Sequence, residues 1–235
     1  MQSVTLSLFR FGTMGDRLWA FAQMGLARFA VARIPGIGFH TLCGSGSGEG
    51  FTPLPNTAVY GLLATWESLE VARVALETAP IIQRYRRRSV EHCTWFLNAR
   101  SSRGFWSGQE PFTIGGTLPK GPIAALTRAT IKPSIMMKFW GRVPAISDVI
   151  GSDPNVIFKI GVGEVPWFHQ VTFSVWPNTR AMDNFARTSG PHGQAIRAVR
   201  DGKWFSEELY ARFAIQAVDG SWDGQPLQQK LEHAA

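Results

Sequence analysis

Gly104-Phe-Trp-Ser-Gly-Gln109 returns later in the chain as Gly220-Ser-Trp-Asp-Gly-Gln225. The shared pattern G-x-W-x-G-Q pairs four residues that do not replace one another, so it marks an internal repeat. Two further matches fall in the same order. Ala64-Thr-Trp66 returns as Ser174-Val-Trp176, and Pro35-Gly-Ile-Gly-Phe39 as Pro154-Asn-Val-Ile-Phe158. The offsets of the three matches are 116, 110 and 119 residues. The first half therefore carries about nine extra residues between its second and third elements, around the Gly-rich stretch that begins at Gly44.

Each half reads the same way. An alternating apolar segment opens it, at Val4–Phe11 and at Ser134–Trp140, and both are expected strands. A helix follows at Asp16–Val31, with a shorter piece near Ala145–Ile150. Second strands are expected at Gly38–Cys43 and Val156–Val162, and third strands end at Trp66 and Trp176. Helices over Leu69–Glu77 and Thr179–Arg187 run into Ala79-Pro80 and Gly190-Pro191, since proline suits a helix start and not its interior. A second helix leads from each break toward Trp95 and Trp204, and a last strand with the G-x-W-x-G-Q tail closes the half. This β-α-β-β-α-β order is the ferredoxin-like unit. The expected fold class is α+β: two tandem ferredoxin-like repeats pairing into an α/β barrel of the dimeric type, because closure removes exposed strand edges. The repeats are expected at 1–114 and 132–235, with the Gly-, Pro- and Thr-rich stretch 115–131 as linker.

Composition narrows the function. Of 235 residues, 45% are hydrophobic and 17% charged, which suits a sizeable core and excludes a disordered chain. The net charge of +7 is spread over the chain and is too mild to require nucleic acid. Two cysteines, Cys43 and Cys93, exclude a disulfide scaffold and a four-thiolate metal site, and fit a reducing compartment. No secretory leader is expected at Met1–Gly12, and no stretch reaches the roughly 20 apolar residues of a membrane span. Nine Trp and 16 Phe suit either a well-filled core or a large apolar ligand.

Among candidate site residues, His192 is first. Ser189 is a good N-cap and Pro191 fits the first turn, so His192 begins a helix, where the dipole disfavours the imidazolium form. A neutral imidazole is what a metal needs. It caps an apolar stripe of Ala195, Ile196 and Val199, with Gly190 and Gly193 beside it. Two readings stay open: an axial ligand to a haem iron, or a satisfied histidine at a helix start. At offset 110 its counterpart in the first half is Ile82, an asymmetry that favours chemistry in one half only. Arg197, Arg200 and Lys203 on the same helix suit carboxylates such as haem propionates. His169, at the start of a strand, is the next histidine. Gly44–Gly50 lacks the ending of a phosphate loop and reads as a loop over a pocket. Arg84-Tyr-Arg-Arg-Arg88 suits either a solvated helix surface or anionic lipid. Spacing names no catalytic triad and no carboxylate pair.

The opening V-T-L-S-L-F-R-F, with F-A-Q-M-G-L-A, P-G-I-G-F, L-C-G-S-G-x-G-E-G-F-T-P-x-P-N-T-A-V-Y and R-G-x-W-S-G-Q-E-P-F, resembles the spheroidene monooxygenase family, the acyclic-carotenoid 2-ketolases of purple phototrophic bacteria. The resemblance runs along nearly the whole chain and is most specific over Cys43–Tyr60. It implies oxidation of spheroidene and hydroxyspheroidene at C-2 by a haem-dependent oxygenase using O2 and reduced ferredoxin. The fold expectation is similar to the chlorite dismutase and dye-decolourising peroxidase group, in which haem lies in the C-terminal half on a helix-borne histidine. By that analogy His192 is the expected axial ligand. Two successive hydroxylations would give a geminal diol and then the ketone. Phe139, Trp140 and Trp176 are candidates to line the polyene channel, with core packing as the alternative. A lipid-dissolved substrate implies a cytoplasmic protein working at the membrane surface without spanning it. The rivals are a haem- or lipid-binding module without oxygenase activity, and a cofactor-free α/β-barrel monooxygenase.

Overall fold

The structure, a computed structural model, describes residues 1–47, 54–141, 155–187 and 204–233. The first half runs β1 (Ser3–Arg10), α1 (Met14–Val31), β2 (Ile37–Gly46), β3 (Pro55–Trp66), α2 (Leu69–Thr78), α3 (Pro80–Arg88) and β4 (Glu91–Gly104). The second contributes β5 (Ile123–Ile131), a 3-10 turn (Pro133–Ile135), α4 (Met136–Trp140), β6 (Phe158–Gly163), β7 (His169–Trp176), α5 (Thr179–Arg187), β8 (Phe205–Trp222), β9 (Gln225–Pro226) and α6 (Leu227–Glu232).

The sheet order is β4-β1-β3-β2-β6-β7-β5-β8, and β4 pairs with β8 to close it. Each half keeps the ferredoxin-like order, 4-1-3-2, and all neighbours are antiparallel. The result is the expected α+β fold with a closed eight-stranded barrel. The two seams between halves differ. β4 and β8 pair from Cys93↔Gly220 to Gly104↔Leu209, whereas β2 and β6 share only Gly44↔Gly163 and Ser45↔Val162.

The repeat is visible in the backbone. Ser107 and Gly108 have φ of 52° and 74°; Asp223 and Gly224 have 56° and 72°. Two consecutive positive φ values are the demand of a tight hairpin turn, and glycine meets it without strain. Gly104 and Gly220, at φ 97° and 91°, bring their α-carbons against the carbonyls of Glu208 and His92 across the long seam. A side chain fits neither place, which explains the spacing of the motif.

Alternation along the strands sorts side chains into two layers. Val4, Leu6 and Leu8 point into the barrel with Leu97, Trp95 and Phe173. Trp95 is fully buried and packs at 5.2 Å from Phe158 and 5.9 Å from Phe173. On the outside of the first half, Phe11, Leu62, Trp66 and Phe96 pack under α1, α2 and α3. Ser68 caps α2 by accepting from Val71 N, and Pro80 opens α3 at its first turn.

One sequence expectation is corrected. The second half opens at Ile123–Ile131, inside the stretch expected to be linker, and Ser134–Trp140 is a 3-10 turn and helix rather than a strand. Pro133 sits at the turn's first position, where its fixed φ favours helical geometry. A short apolar run cannot distinguish helix from strand by period alone. The Ala145–Ile150 piece lies outside the described residues.

Candidate functional site

Register matches paired strand residues of one half with counterparts in the other. Phe9↔Tyr60 corresponds to Ala129↔Gln170, and Leu42↔Leu62 to Gly161↔Thr172. Thr5↔Phe96 corresponds to Ala125↔Arg212, and Ser7↔Thr94 to Thr127↔Tyr210. All these residues lie on the outer faces of the two half-sheets. In the first half that face is filled: Phe9, Leu42, Tyr60, Leu62 and Phe96 are buried beneath the helices. In the second half the same five positions hold Ala129, Gly161, Gln170, Thr172 and Arg212. Large apolar side chains on this face give way to small or polar ones in the second half. Ser7 is 0% exposed and Thr94 4%, while their counterparts Thr127 and Tyr210 are exposed, Tyr210 at 46%.

Two apolar groups stand at the ends of this face. Where β7 ends, Trp176 is buried against Ile123, Met182 and Phe185, with its indole N–H given to Ser174 Oγ at 2.9 Å. Beyond the far end of β5, Phe139 stacks edge-on with Trp140, Trp204 and Phe205, and Trp140 Nε1 donates to the Trp167 carbonyl. Arg212, on the face itself, pairs with Asp183 of α5 at 3.0 Å.

Behind the face, inside the barrel, lies a buried ion network. Arg128 takes the inward position that Leu8 holds in the first half, and its side chain is 1% exposed. It reaches Glu164 Oε2 at 3.2 Å and also pairs with Glu207. Glu164 accepts further bonds from Thr41 Oγ1 at 2.7 Å, Trp106 Nε1 at 3.0 Å and His169 Nδ1 at 3.1 Å. Glu207 accepts from the Ser107 and Gly108 amides of the repeated hairpin. Burial alone would raise the Glu164 carboxyl. The bonds from His169, Trp106 and Thr41, with the Arg128 charge, outweigh it and bring the carboxyl down to about 2. The carboxylate therefore orients the His169 ring through Nδ1, and Nε2 carries no bond among the described residues.

The barrel's other end is built differently. β1 and β5 run in opposite directions, so Arg10 lies at the end opposite Arg128. There a cleft of about 310 Å³ is lined by Arg10, Val59, Phe158, Ile160, Trp222 and Lys230. Cys43 and Cys93 are buried, and burial pushes both thiols up, for Cys43 with help from the Glu164 charge. Neither is a ready nucleophile or thiolate ligand. Among the described residues, no group of three or more His, Cys, Asp and Glu is placed to hold a bare metal ion.

Comparison with known proteins adds the family. No family model matches. Spheroidene monooxygenase of Rhodobacter capsulatus is 46% identical over 235 residues, covering 98% of both chains. That of Cereibacter sphaeroides is 49% identical over 226 residues, covering 95% of this chain and 70% of its own. The chain belongs to the spheroidene monooxygenase family. A third member, from Rubrivivax gelatinosus, is 35% identical over 88% of this chain and 80% of its own. The fold has a distant likeness in aldoxime dehydratase, at a TM-score of 0.60 and 9% identity over 91% of this chain and 81% of that one.

For this family member the structure places some sequence candidates and not others. His192, Arg197 and Arg200 lie outside the described residues. Phe139 and Trp140 are together on α4, while Trp176 stands at the opposite end of β7, about 23 Å away along the strand rise. The three are not one cluster. His169 is brought into the Glu164 network. Arg128, Glu164, Glu207 and Trp106 had not been singled out as site residues. The available signal was Arg128 itself, a lone charge in the apolar alternation of Ile123–Ile131.

Proposed function

We propose that the chain is a haem-dependent carotenoid monooxygenase, and that it makes a C-2 ketone from spheroidene or hydroxyspheroidene on the outer face of its second half-sheet. Family membership supports the reaction class. The observation that carries the site is the exchange of Phe9, Leu42, Tyr60, Leu62 and Phe96 for Ala129, Gly161, Gln170, Thr172 and Arg212, which takes large apolar side chains off the outer face of the second half-sheet.

That face fits a flat macrocycle. A porphyrin needs an open surface and an axial donor rather than a cage of ligands. His192 would hold the iron and Arg197 and Arg200 the propionates, with Arg212 the cation on the sheet side. Haem, when bound, would supply the activation of O2 that oxidising a C–H bond requires. The protein's own work is orientation. The apolar groups at Trp176 and at Phe139–Trp140 would hold a long polyene lengthwise so that one end reaches the reacting position. The Arg128–Glu164–Glu207 network fixes the strands beneath the face and keeps the His169 ring in one orientation.

Each oxidation inserts one atom of O2 into a C–H bond and reduces the other to water with two electrons and two protons. Reduced ferredoxin is the proposed donor. The second insertion gives a geminal diol, which loses water to leave the ketone. Work at the cytoplasmic membrane surface follows from the substrate's solubility in lipid.

The test is the visible spectrum of protein made with haem supply, beside His192→Ala. A Soret band lost or shifted in the variant supports the assignment. A band unchanged overturns His192 as the ligand; His169 could replace it only with a haem on the barrel side of the sheet, where Glu164 holds its Nδ1. No band in either protein overturns the haem reading and favours the cofactor-free one.

A further inference from the structure

Helix α1 is packed inside out. It buries Ala20, Gln23, Ala27 and Val31, while Met14, Leu18, Phe21, Leu26 and Phe29 stand between 63% and 73% exposed. A surface helix ordinarily turns its large apolar residues inward. At 3.6 residues per turn the five exposed ones fall within an arc of about 140°. The other residues on that arc are Gly15, Ala22 and Gly25, so it carries no charge over five turns. The helix is well formed in other respects: Thr13 caps it by accepting from Asp16 N at 3.1 Å. Scattered surface leucines need no explanation, but a contiguous apolar patch marks an interaction site.

The borders of the arc are cationic. Arg17 and Arg28 follow one edge. Helix α3 lies along the other, fixed by Arg88, which reaches Asp16 at 2.9 Å and stacks over the Trp19 ring at 4.9 Å. On α3, Arg84 and Arg87 are exposed, and Arg84, Arg86 and Arg87 make no ion pair among the described residues. An apolar stripe between rows of arginine is the composition of a helix that lies in a membrane interface. The arginine stems extend along apolar surface while their heads stay at headgroup level. A second copy of the chain suits the face less well. A two-fold contact through α1 would set the α3 arginines near their own copies. Among the described residues, no helix is long and apolar enough to cross a bilayer.

We propose that the outward face of α1, with the arginines of α3, is the surface by which the protein lies on an anionic bilayer. Its purpose rests on the carotenoid reading above, since a polyene dissolved in lipid must be collected there; the surface itself is read from α1 and α3 alone.

The experiment is flotation of the purified protein with phosphatidylcholine vesicles, with and without phosphatidylglycerol. Wild type is expected to float with the anionic vesicles, less so as salt rises. Leu18→Glu/Phe21→Glu, at exposed positions that leave the melting temperature unchanged, is expected to lose binding by more than about tenfold. Arg84→Gln/Arg87→Gln is expected to weaken it by about fivefold per arginine. Wild type that stays unbound, or a Leu18→Glu/Phe21→Glu variant that floats as well as wild type, overturns the proposal. So does a wild-type dimer in sedimentation that Phe21→Glu splits while flotation is unchanged, which assigns the face to a second copy. Turnover separates this from the functional reading. Leu18→Glu/Phe21→Glu should match wild type on detergent-dispersed spheroidene and fall behind on spheroidene in vesicles. Absence of wild-type turnover in detergent rejects the activity and leaves flotation to judge the surface.

Discussion

Arg128 and Glu164 should be strongly coupled, and a double-mutant cycle measures by how much. The first half offers the replacement residues: Leu8 stands where Arg128 stands by register, and Ser45 matches Glu164 at the sequence offset of 119. Arg128→Leu leaves the Glu164 carboxylate, 17% exposed, without its cation. Glu164→Ser leaves a 1% exposed guanidinium with Glu207 alone. Breaking a buried pair from one side costs about 3–5 kcal/mol, because the surviving charge is uncompensated. The double variant removes both charges, but strands the Trp106 and Thr41 donors at roughly 1–3 kcal/mol each. Its cost should therefore be close to that of one single variant, giving a coupling of about 3–5 kcal/mol. Urea unfolding of the four proteins provides the numbers. Single costs below about 1 kcal/mol, or costs that simply add, would show that the network is not held by this pair.

Other consequences follow from the same contacts. Because the Glu164 carboxyl is depressed in the folded state, its contribution is complete above the ordinary carboxylate range and is lost as pH falls through about 2; wild type should lose about 2.5 kcal/mol more than Glu164→Gln between pH 6 and 2.5, read from melting curves. Gly104→Ala and Gly220→Ala should each destabilise by more than about 2 kcal/mol, since each new Cβ meets a carbonyl of the neighbouring strand at positive φ; equal stability would refute the reading of the repeat. Trp95→Ala should cost about 3–5 kcal/mol by emptying the barrel centre, and a smaller loss in chemical denaturation would mean the centre collapses around the void.

The G-x-W-x-G-Q motif made the fold legible because it answers a backbone demand. Positive φ at Gly108 and Gly224, and the close approach at Gly104 and Gly220, restrict the residue type, so both copies kept it. The helices Leu69–Thr78 and Thr179–Arg187 were legible from their breaks. Strand β5 was not, because Arg128 interrupts its apolar alternation and its charge is satisfied by residues 36 and 79 positions away. Its partners sit on strands that only the closed barrel brings together. The contrast between the two outer faces was half legible. The offset of 110 already set Leu62 against Thr172, but that contrast has meaning only once register shows that both point outward. The exposed stripe of α1 was hidden for a related reason. Periodicity reports a face without saying which face meets the core, and here the alanines do.

The central claim is that the outer face of the second half-sheet is where the carotenoid is oxidised. Gly161→Leu/Thr172→Leu gives that face the side chains its counterpart carries at Leu42 and Leu62, which pack without strain in the first half. The measurement is conversion of spheroidene to its 2-ketone by haem-supplied wild type and by this variant, under O2 with reduced ferredoxin. The account predicts ketone from wild type, and loss of both the Soret band and the product from a variant that still folds. A folded variant with an intact Soret band and undiminished ketone formation would contradict it.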